Sequence, residues 1–457
     1  MEFAVSCLAV VVVSFTVGAL SSDALRRAGD AVLAGSFGDS HLVSEAMLSG
    51  VAAAVGLSFS KLAPGELERD ALGKEAVRAQ YEELARQLLL PFSESGAGID
   101  RRLYMDVFES NACPLCVLIQ VKSGAVWVYD PRNIRSRGEL FHQLRLKEAL
   151  YWTSRAVMMS KRLRTAKFEF VVSVGDSIVT TDRVHSYRFA KPSLPARPIF
   201  GATWCNVSSN LPFPLFFYDL MRRAFPSKLR FRRFRSLTEW DDRVLQYMTG
   251  DGTAWAQKIP RAVFRGVNRD SQLLPDRESI DAACFKVGRS RLFRIGQNNT
   301  KLFDVVVTGS CGGVKIATAA SMSMFEQQAY KYQIYFDGNG FWADRLALIL
   351  LSQSCPIKQV TPCKLFFEPL LTAWEHYVPF SYDMNDLVSN VRRVVQNDDE
   401  AKAIAVRSQR WAMDYLSHDA IVTFTDTLLS QYADLLILPR SWHLHRDAIR
   451  AHPVLVS

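Results

Sequence analysis

The segment that decides the fold is YKYQIYFDGNGFWADRLALILLSQSCPIKQ, residues 330–359. Its apolar stretch from Tyr332 to Phe336 is typical of a buried strand, and an apolar helix containing Arg345 follows. The loop Asp337-Gly-Asn-Gly lies between them, and such a loop before a helix can present backbone N–H groups and a positive dipole to a pyrophosphate. DGNG is equally typical of a hairpin turn. It matches neither GxGxxG nor a P-loop, which disfavours dinucleotide binding and kinase chemistry.

The same unit, an apolar strand that ends in a glycine-containing loop, recurs along the chain. Further copies are residues 168–174 before Gly175-Asp176, 262–264 before Arg265-Gly266, 303–307 before Thr308-Gly309, and the strand 356–360. Such strands alternating with helices are typical of doubly wound parallel sheets, whose ligands bind off the carboxyl ends of the strands. At 457 residues the chain is long enough for two lobes with a cleft. We therefore predict an α/β fold with two doubly wound, Rossmann-like domains.

The remaining patterns suggest domain boundaries. VLIQV and AVWVY on either side of Gly124 predict a strand pair, and an amphipathic helix follows from about Gly138 to Arg164. Three amphipathic helices are predicted over residues 386–435. The predicted parts are a helical extension 21–98, an N-terminal lobe 99–240, a C-terminal lobe 241–435, and a tail 436–457 without a KDEL-type retention signal.

The N-terminus, residues 1–20, contains the apolar run FAVSCLAVVVVSFTVGAL. The small residues Val17-Gly18-Ala19 suit cleavage by signal peptidase, although no Lys or Arg precedes the run. We favour a cleaved signal peptide over an uncleaved anchor, and no later segment is long and apolar enough to span a bilayer. The predicted location is the lumen of the endoplasmic reticulum or Golgi, or outside the cell, with membrane contact only if the segment is an anchor.

Cysteines and sequons agree with that location. Besides Cys7 in the signal there are seven cysteines, an odd number that requires at least one free thiol or an intermolecular link. Cys113-Pro-Leu-Cys116 has redox or zinc spacing, but no second CxxC or histidine pair follows it, which favours a structural disulfide. Asn206-Val-Ser and Asn298-Asn-Thr are candidate glycosylation sites.

The composition, 49% hydrophobic and 22% charged, excludes a disordered chain and a small disulfide scaffold. The net charge of +9 favours anionic partners, which include nucleotide diphosphates, membranes and nucleic acids. Basic residues are densest from Arg222 to Arg235, where phenylalanines interleave with them. This run is compatible with a solvated or interdomain surface, with an anionic ligand, or with nucleic acid. We favour the first and predict no nucleic-acid partner.

Asp176 is the most interesting carboxylate, because a residue at a strand end can reach into a ligand cleft and remove a proton from a hydroxyl. The alternative is an ordinary loop or helix-capping aspartate. Gly175-Asp176-Ser177 also imitates the nucleophile block of GDSL esterases, in which Ser177 would attack. Such an esterase needs a DxxH histidine near the C-terminus, and the only DxxH here, Asp182 to His185, lies directly behind the block.

Two arginines are candidates for binding phosphate. Arg265, next to Gly266, ends a predicted strand, and Arg277 follows in LLPDRES. Guanidinium groups remain charged and bind phosphate oxygens in pairs, as a diphosphate site without metal requires. Each of these arginines could equally be a surface ion-pair residue.

In order along the chain stand FEFVVSVGD, AVFRG, LFDVVVTG, YKYQIYFDGNG, LLSQSCPIKQV, LFFEPLLTAWEHYVPF and NDDEAKAIAVRSQRWAMDYLS. On these blocks the chain resembles family 90 glycosyltransferases, which include protein O-glucosyltransferases of the Rumi type and capsule-associated sugar transferases. The resemblance runs from about Ile99 to Leu435 and is densest after Phe303. It implies a GT-B fold, in which two lobes face each other across a cleft. It also implies transfer from a UDP-sugar with inversion, without a cofactor or an essential metal.

The resemblance also implies roles for particular residues. By this resemblance, Asp176 matches the family's base, which deprotonates the acceptor hydroxyl. Arg277 matches the arginine that binds the nucleotide phosphate. The donor loop, which would bind the pyrophosphate, comprises Gly340, Phe341, Trp342, Ala343, Asp344 and Arg345. Arg265 and Gly266, selected above at a strand end, are further candidates for binding the donor. The acceptor and sugar pocket would be lined by Phe213, Pro214, Phe216 and Phe217. His376, in a WxHYxP block, is either a site residue or a core histidine.

Some positions depart from the family pattern. Val267 replaces the small hydroxyl residue that follows FRG, the spacing to Arg277 is longer, the loop before Arg345 has an extra residue, and Gly175 replaces an arginine. These departures leave the acceptor and the sugar open, with glucose or xylose favoured. A monomer is expected. An esterase and a non-catalytic sugar-nucleotide-binding or glycan-binding relative are the alternative functions.

Overall fold

The structure is a computed structural model, and the residues that it describes all belong to one compact unit, Leu72–Ser457. The described residues are 73–94, 96, 98–110, 113–176, 197–205, 210–225, 234, 236–249, 253–268, 284–286, 288–311, 313–317, 322–338, 342–361 and 363–451. The predicted signal segment, Asn206, Arg277, Ser177, Gly340 and Phe341 lie outside them. None of the described helices is long and apolar enough to cross a membrane.

Helices and strands alternate along most of the described chain. The helices are α1 Lys74–Ser93, α2 Arg102–Glu109, α3 Ile134–Arg137, α4 Leu140–Met159, α5 Lys161–Thr165, α6 Phe217–Ala224, α7 Trp240–Met248, α8 Gly288–Asn298, α9 Met324–Gln327, α10 Leu346–Leu351, α11 Leu387–Gln396, α12 Asp398–Tyr415 and α13 His418–Leu435. The strands are β1 Ile99–Asp100, β2 Cys116–Lys122, β3 Ala125–Tyr129, β4 Lys167–Ser173, β5 Ile199–Gly201, β6 Trp204–Cys205, β7 Leu211–Pro212, β8 Ile259–Val267, β9 Phe303–Cys311, β10 Val314–Ala317, β11 Tyr330–Tyr335, β12 Cys355–Gln359, β13 Cys363–Lys364, β14 Val378–Phe380, β15 Leu436–Ile437 and β16 Ile449–Arg450.

One six-stranded sheet has the order β10-β9-β8-β11-β12-β14. All its neighbouring strands run parallel except β10, which is antiparallel to β9 at the edge. Every residue of the central strand β11 is buried, as expected of a parallel strand covered on both faces. Side chains of α8, α11 and α12 complete its core. The strands predicted at residues 262–264, 303–307, 332–336 and 356–360 are confirmed here as β8, β9, β11 and β12.

The other six-stranded sheet, β16-β3-β2-β4-β5-β7, is mixed. The predicted strand pair around Gly124 is confirmed as an antiparallel hairpin, β2 with β3. Its two-residue turn has positive φ at Ser123 (51°) and Gly124 (73°), which matches the twist of a hairpin. A tight turn permits only antiparallel pairing. The prediction of a doubly wound parallel sheet is therefore wrong for this half of the first sheet, and only β4, β5 and β7 pair in parallel.

The end of the chain returns to the first sheet. Helix α13 packs on α1, α4 and β4, and its buried side chains belong to the same core as that sheet. Strand β15 pairs with β1, and β16 with β3. The buried carboxylate of Glu169 accepts hydrogen bonds from Gln120 (2.7 Å) and from Trp442 of the tail (2.8 Å). Parts of the predicted extension, C-terminal lobe and tail thus share the first core.

Three disulfides are present: Cys113–Cys116, Cys205–Cys363 and Cys284–Cys311. The predicted structural disulfide in the CxxC motif is confirmed, and a buried free thiol remains at Cys355. Cys205 in β6 follows β5 of the first sheet, whereas Cys363 in β13 follows β12 of the second sheet, and the two short strands pair. This disulfide therefore joins segments that leave different sheets. Disulfides of this number fit an oxidising, non-cytosolic compartment.

Candidate active site

Asp176 lies just after β4, whose residues are buried from Phe168 onward. Its carboxylate is 31% exposed, so it lies at the surface of a well-packed strand end. Arg145 of α4 donates from Nη2 to Oδ1 of Asp176 at 2.7 Å and from Nη1 to the carbonyl of Val174 at 3.0 Å. The carboxylate is therefore held by a charge-assisted hydrogen bond, which is stronger than a neutral one.

Trp342 brings the predicted donor loop to Asp176. Its indole N–H donates to the carbonyl of Asp176 at 3.1 Å, and its buried ring lies 5.8 Å from the ring of Phe216. The guanidinium of Arg145 lies over the same indole, 5.1 Å from its centroid. Three segments thus meet at Trp342. They are the end of β4, the segment after DGNG and the aromatic segment 213–217, and each was predicted separately from the sequence.

The loop between β11 and α10 connects the two cores. Ile334 in β11 packs in the core of the second sheet, whereas the side chains of α10 pack in the core of the first. Inside this loop the N–H of Ala343 donates to the hydroxyl of Tyr335 at 3.1 Å. Helix α10, which follows the loop, has six residues, and all of them are buried.

Asp344 and Arg223 form an ion pair within the candidate site. Arg223 also contacts Asp219, one helical turn before it in α6, at 2.7 Å. Arg223 belongs to the basic run that the sequence analysis assigned to a solvated or interdomain surface. Its partner Asp344 lies in the loop that connects the two cores, which agrees with the interdomain interpretation.

Arg345 points toward β8. Its Nη1 donates to the carbonyl of Arg265 at 2.7 Å, and its guanidinium lies 5.1 Å from the centroid of Phe264. Burial lowers the pKa of Arg345. In this structure Arg345 therefore fastens the donor loop to the end of a neighbouring strand.

Arg265 forms contacts across the sheet. Its Nη2 donates to Oδ1 of Asp304 in β9 at 2.7 Å, and its Nη1 to the carbonyl of Asp304 at 2.6 Å. The hydroxyl of Tyr330 donates to the other carboxylate oxygen of Asp304 at 2.5 Å. Arg265 thus forms an ion pair, one of the two roles considered for it from the sequence. At the adjacent Gly266, a Cβ atom would lie 2.9 Å from the ring of Phe264, so the close packing there requires glycine.

Arg289 in α8 connects the ends of two strands, and the sequence analysis did not select it. Its Nε and Nη2 donate to the carbonyl of Asp337 at 2.9 and 2.6 Å, and its Nη1 to the carbonyl of Val267 at 2.9 Å. Its guanidinium lies 5.5 Å from the centroid of Phe264. It holds the start of the DGNG loop against the end of β8. No pattern in the sequence distinguishes Arg289 or Arg145 from other helical arginines.

The predicted acceptor-pocket residues Phe213, Pro214, Phe216 and Phe217 are all buried. Phe213 packs on Phe200 (5.6 Å between ring centroids), and Phe217 packs on Trp240 (4.7 Å). Among the described residues of the donor loop, Trp342 contacts Phe216. The segment therefore forms the packed base of the site more than an open wall.

His376 fits the core-histidine alternative. Its Nδ1 accepts from the N–H of Thr372 at 3.0 Å, and its ring lies 5.9 Å from that of Trp411. Burial lowers the pKa of His376. Among the described residues, no group of three or more His, Cys, Asp and Glu side chains is placed to hold a metal ion.

Asp337, the first residue of DGNG, is a buried carboxylate that precedes the donor loop. Burial raises its pKa to about 7, against the opposing effects of Arg289, a hydrogen bond with Tyr382, and Lys358. A carboxyl whose pKa is higher in the folded state contributes stability below its unfolded pKa, and this contribution is lost as the pH rises through the folded pKa.

Because of this shift, we expect the free energy of unfolding of the wild type, relative to that of Asp337→Ser, to decrease as the pH is raised from about 4 to about 8. The difference should amount to at most about 4 kcal/mol, since one pKa unit corresponds to about 1.4 kcal/mol. Urea denaturation of both proteins at several pH values measures it. A constant difference across this range would contradict a raised pKa of Asp337.

The chain matches one family of known proteins and several curated relatives. The model of glycosyl transferase family 90 matches residues 119–451. Protein O-glucosyltransferase 3 of Homo sapiens is 28% identical over 280 residues, which are 60% of this chain and 48% of that protein. Protein O-glucosyltransferase 2 of Danio rerio is 26% identical over 287 residues, 61% of this chain and 50% of that protein. Protein O-glucosyltransferase 1 of Rattus norvegicus is 26% identical over 188 residues, 40% of this chain and 44% of that protein.

The family match covers most of the chain and places it among the glycosyltransferases. Within that class, the chain belongs to glycosyl transferase family 90. It spans about half the length of the curated relatives that it matches.

Proposed function

We propose that this protein is an inverting glycosyltransferase that moves a sugar, glucose or xylose, from a UDP-sugar to a hydroxyl group of a protein or glycan. One observation carries the proposal: the indole N–H of Trp342 in the predicted donor loop donates to the backbone carbonyl of Asp176, the predicted base. Donor and base must lie side by side if the activated hydroxyl is to attack the anomeric carbon directly. The names of the relatives, protein O-glucosyltransferases, support the same class of reaction.

In this mechanism Asp176 accepts the proton of the acceptor hydroxyl as its oxygen attacks the anomeric carbon of the donor. UDP leaves from the opposite face, so the configuration at that carbon is inverted. The carboxylate suits this role because Arg145 fixes it while it remains accessible to solvent. General base catalysis requires this combination of a defined position and access to the substrate.

On the donor side we propose that residues 340–345 and Arg277 contact the diphosphate and that no essential metal takes part. Arg265 is omitted from this set, because its guanidinium is occupied by Asp304. Arginine side chains can offset the charge of a diphosphate through paired hydrogen bonds.

We further propose a GT-B arrangement, with residues 99–240 as the acceptor lobe and the region from 241 as the donor lobe. The packing of α1 and α13 supports adding both helices to the acceptor lobe. A monomer in the secretory pathway, with an N-glycan on the exposed Asn298, also belongs to the proposal. Residues 1–20 would direct the chain there.

The first test is a screen of nucleotide sugars by thermal unfolding of the purified protein. UDP-glucose or UDP-xylose should raise the melting temperature, because at 100 times its Kd a ligand stabilises the folded state by about 2.7 kcal/mol. GDP-mannose is the matched control and should have no effect. Release of UDP on addition of an acceptor hydroxyl then measures turnover.

The outcomes separate the alternatives. Binding of a UDP-sugar without UDP release, over a panel of glycan and protein acceptors, would identify a non-catalytic relative. Equal stabilisation by GDP-mannose would contradict a uridine-specific donor site.

A further inference from the structure

Arg145 occupies an unusual place for a helical arginine. Its side chain is only 11% exposed, and Asp176 is the acidic side chain with which it forms an ion pair. Removing a guanidinium from water is costly unless a charged partner compensates for it. The site thus maintains a nearly buried cation next to the carboxylate that the proposed reaction uses.

The contacts of Arg145 restrain the carboxylate in more than one direction. One guanidinium nitrogen binds the carbonyl of Val174 and the other binds Oδ1 of Asp176, so the strand end and the side chain are fixed by the same rigid group. The guanidinium lies between two aromatic rings, 5.2 Å from the centroid of Phe141 and 5.1 Å from that of Trp342. A planar guanidinium can stack and bind in pairs at the same time, which an ammonium group cannot do.

Trp342 provides a second restraint, and it belongs to the donor loop. It donates to the backbone carbonyl of Asp176 while its ring stacks on Arg145. The next acidic residue of that loop, Asp344, is fixed by Arg223. A displacement of residues 342–344 would therefore alter the support of Asp176.

We propose that Arg145 is a positioning residue of the transfer reaction, and that Trp342 couples the orientation of Asp176 to the donor loop. The inference rests on the proposed role of Asp176 as base. The guanidinium that binds Oδ1 of Asp176 is itself held by the carbonyl of Val174 and by two rings, so it fixes the orientation of the carboxylate. Displacement of a reacting group by about 1 Å can cost about 100-fold in rate.

The test compares Arg145→Ala, Arg145→Lys and Trp342→Phe with the wild type, in the full-length secreted protein. We expect kcat to fall by about 100-fold in Arg145→Ala and by about 10-fold in Arg145→Lys, which retains the charge but not the paired geometry. Trp342→Phe retains an aromatic ring but loses the N–H and part of the packing surface of the indole, and a loss of about 5-fold is expected. The Kd for the UDP-sugar should change by less than about 3-fold in the Arg145 variants, because Arg145 acts through Asp176.

Arg155→Ala is the matched control. Arg155 lies on the same helix over the ring of Tyr151, at 5.4 Å, and has no described contact with Asp176. Its loss should leave kcat unchanged. Millimolar guanidinium ion should restore part of kcat in Arg145→Ala, but not in Asp176→Asn.

The results distinguish this inference from the proposed function. If the wild type turns over and Asp176→Asn does not, wild-type kcat in Arg145→Ala would overturn the inference alone. So would a loss that matches the fraction of unfolded protein and does not respond to guanidinium. If Asp176→Asn retains wild-type turnover, the proposed base is wrong, and the role of Arg145 fails with it.

Discussion

Asp176→Asn should lower kcat of sugar transfer by about 100-fold to 10,000-fold, the range that a general base contributes. The carboxamide has the shape of the carboxylate and its oxygen can still accept from Arg145, so the strand end should retain its structure. It cannot accept the proton of the acceptor hydroxyl at neutral pH. UDP release with saturating donor and acceptor measures the change, and the Kd for the UDP-sugar should stay within about 3-fold of the wild type.

Asp434→Asn is the control for this prediction. Asp434 is an exposed aspartate at the end of α13 that pairs with Arg162, so its substitution removes an arginine-paired carboxylate without altering the site. Its turnover should equal that of the wild type. Turnover of Asp176→Asn within about 3-fold of the wild type would remove Asp176 from the role of base and would reopen the choice of carboxylate.

Removal of the Cys205–Cys363 disulfide should destabilise the protein more than removal of either other disulfide. The separations of the bonded cysteines are 158, 27 and 3 residues for Cys205–Cys363, Cys284–Cys311 and Cys113–Cys116. Because a disulfide restricts the unfolded chain more when it closes a longer loop, the expected losses are about 5, about 4 and about 2 kcal/mol. Replacement of both cysteines by alanine in each pair, followed by guanidinium chloride unfolding, tests this order.

The same variants report on the link between the two sheets. Cys205 and Cys363 pair in short strands that follow β5 and β12, so their loss removes a covalent link between two segments that are distant in sequence. A loss no larger than that of the Cys113/Cys116 variant would contradict the loop-length argument. It would show that other contacts already hold these segments together in the unfolded ensemble.

Much of the fold was predictable from local sequence. The strands that contain Phe168, Ala262, Phe303 and Tyr330 are predictable because each is apolar and ends at a glycine-containing loop. The structure has a strand at each of these positions. The strand pair around Gly124 was identified from the apolar stretches on either side of that glycine. The wrong element, a parallel first sheet, came from extending the pattern of the second half of the chain to a region in which a two-residue turn enforces antiparallel pairing.

The site was predictable only in part. Asp176 and the donor loop were selected from strand ends and from the resemblance, but Arg145 and Arg289 were not. Arg145 reaches Asp176 across 31 residues, and Trp342 reaches it across 166. Arg265 was selected as a phosphate ligand because it ends a strand, and its partner Asp304 lies 39 residues away on the neighbouring strand.

By itself the sequence determined the positions of most strands and helices, the glycine loops, the odd thiol and the resemblance to one enzyme family. These follow from local periodicity, turn chemistry and residue counts, which need no knowledge of distant contacts. The tertiary structure alone decided which core receives α13, which cysteines pair and which arginine holds Asp176. Periodicity states that a helix face is buried but not against what, and a charged side chain acquires its role only from the partner that folding brings to it.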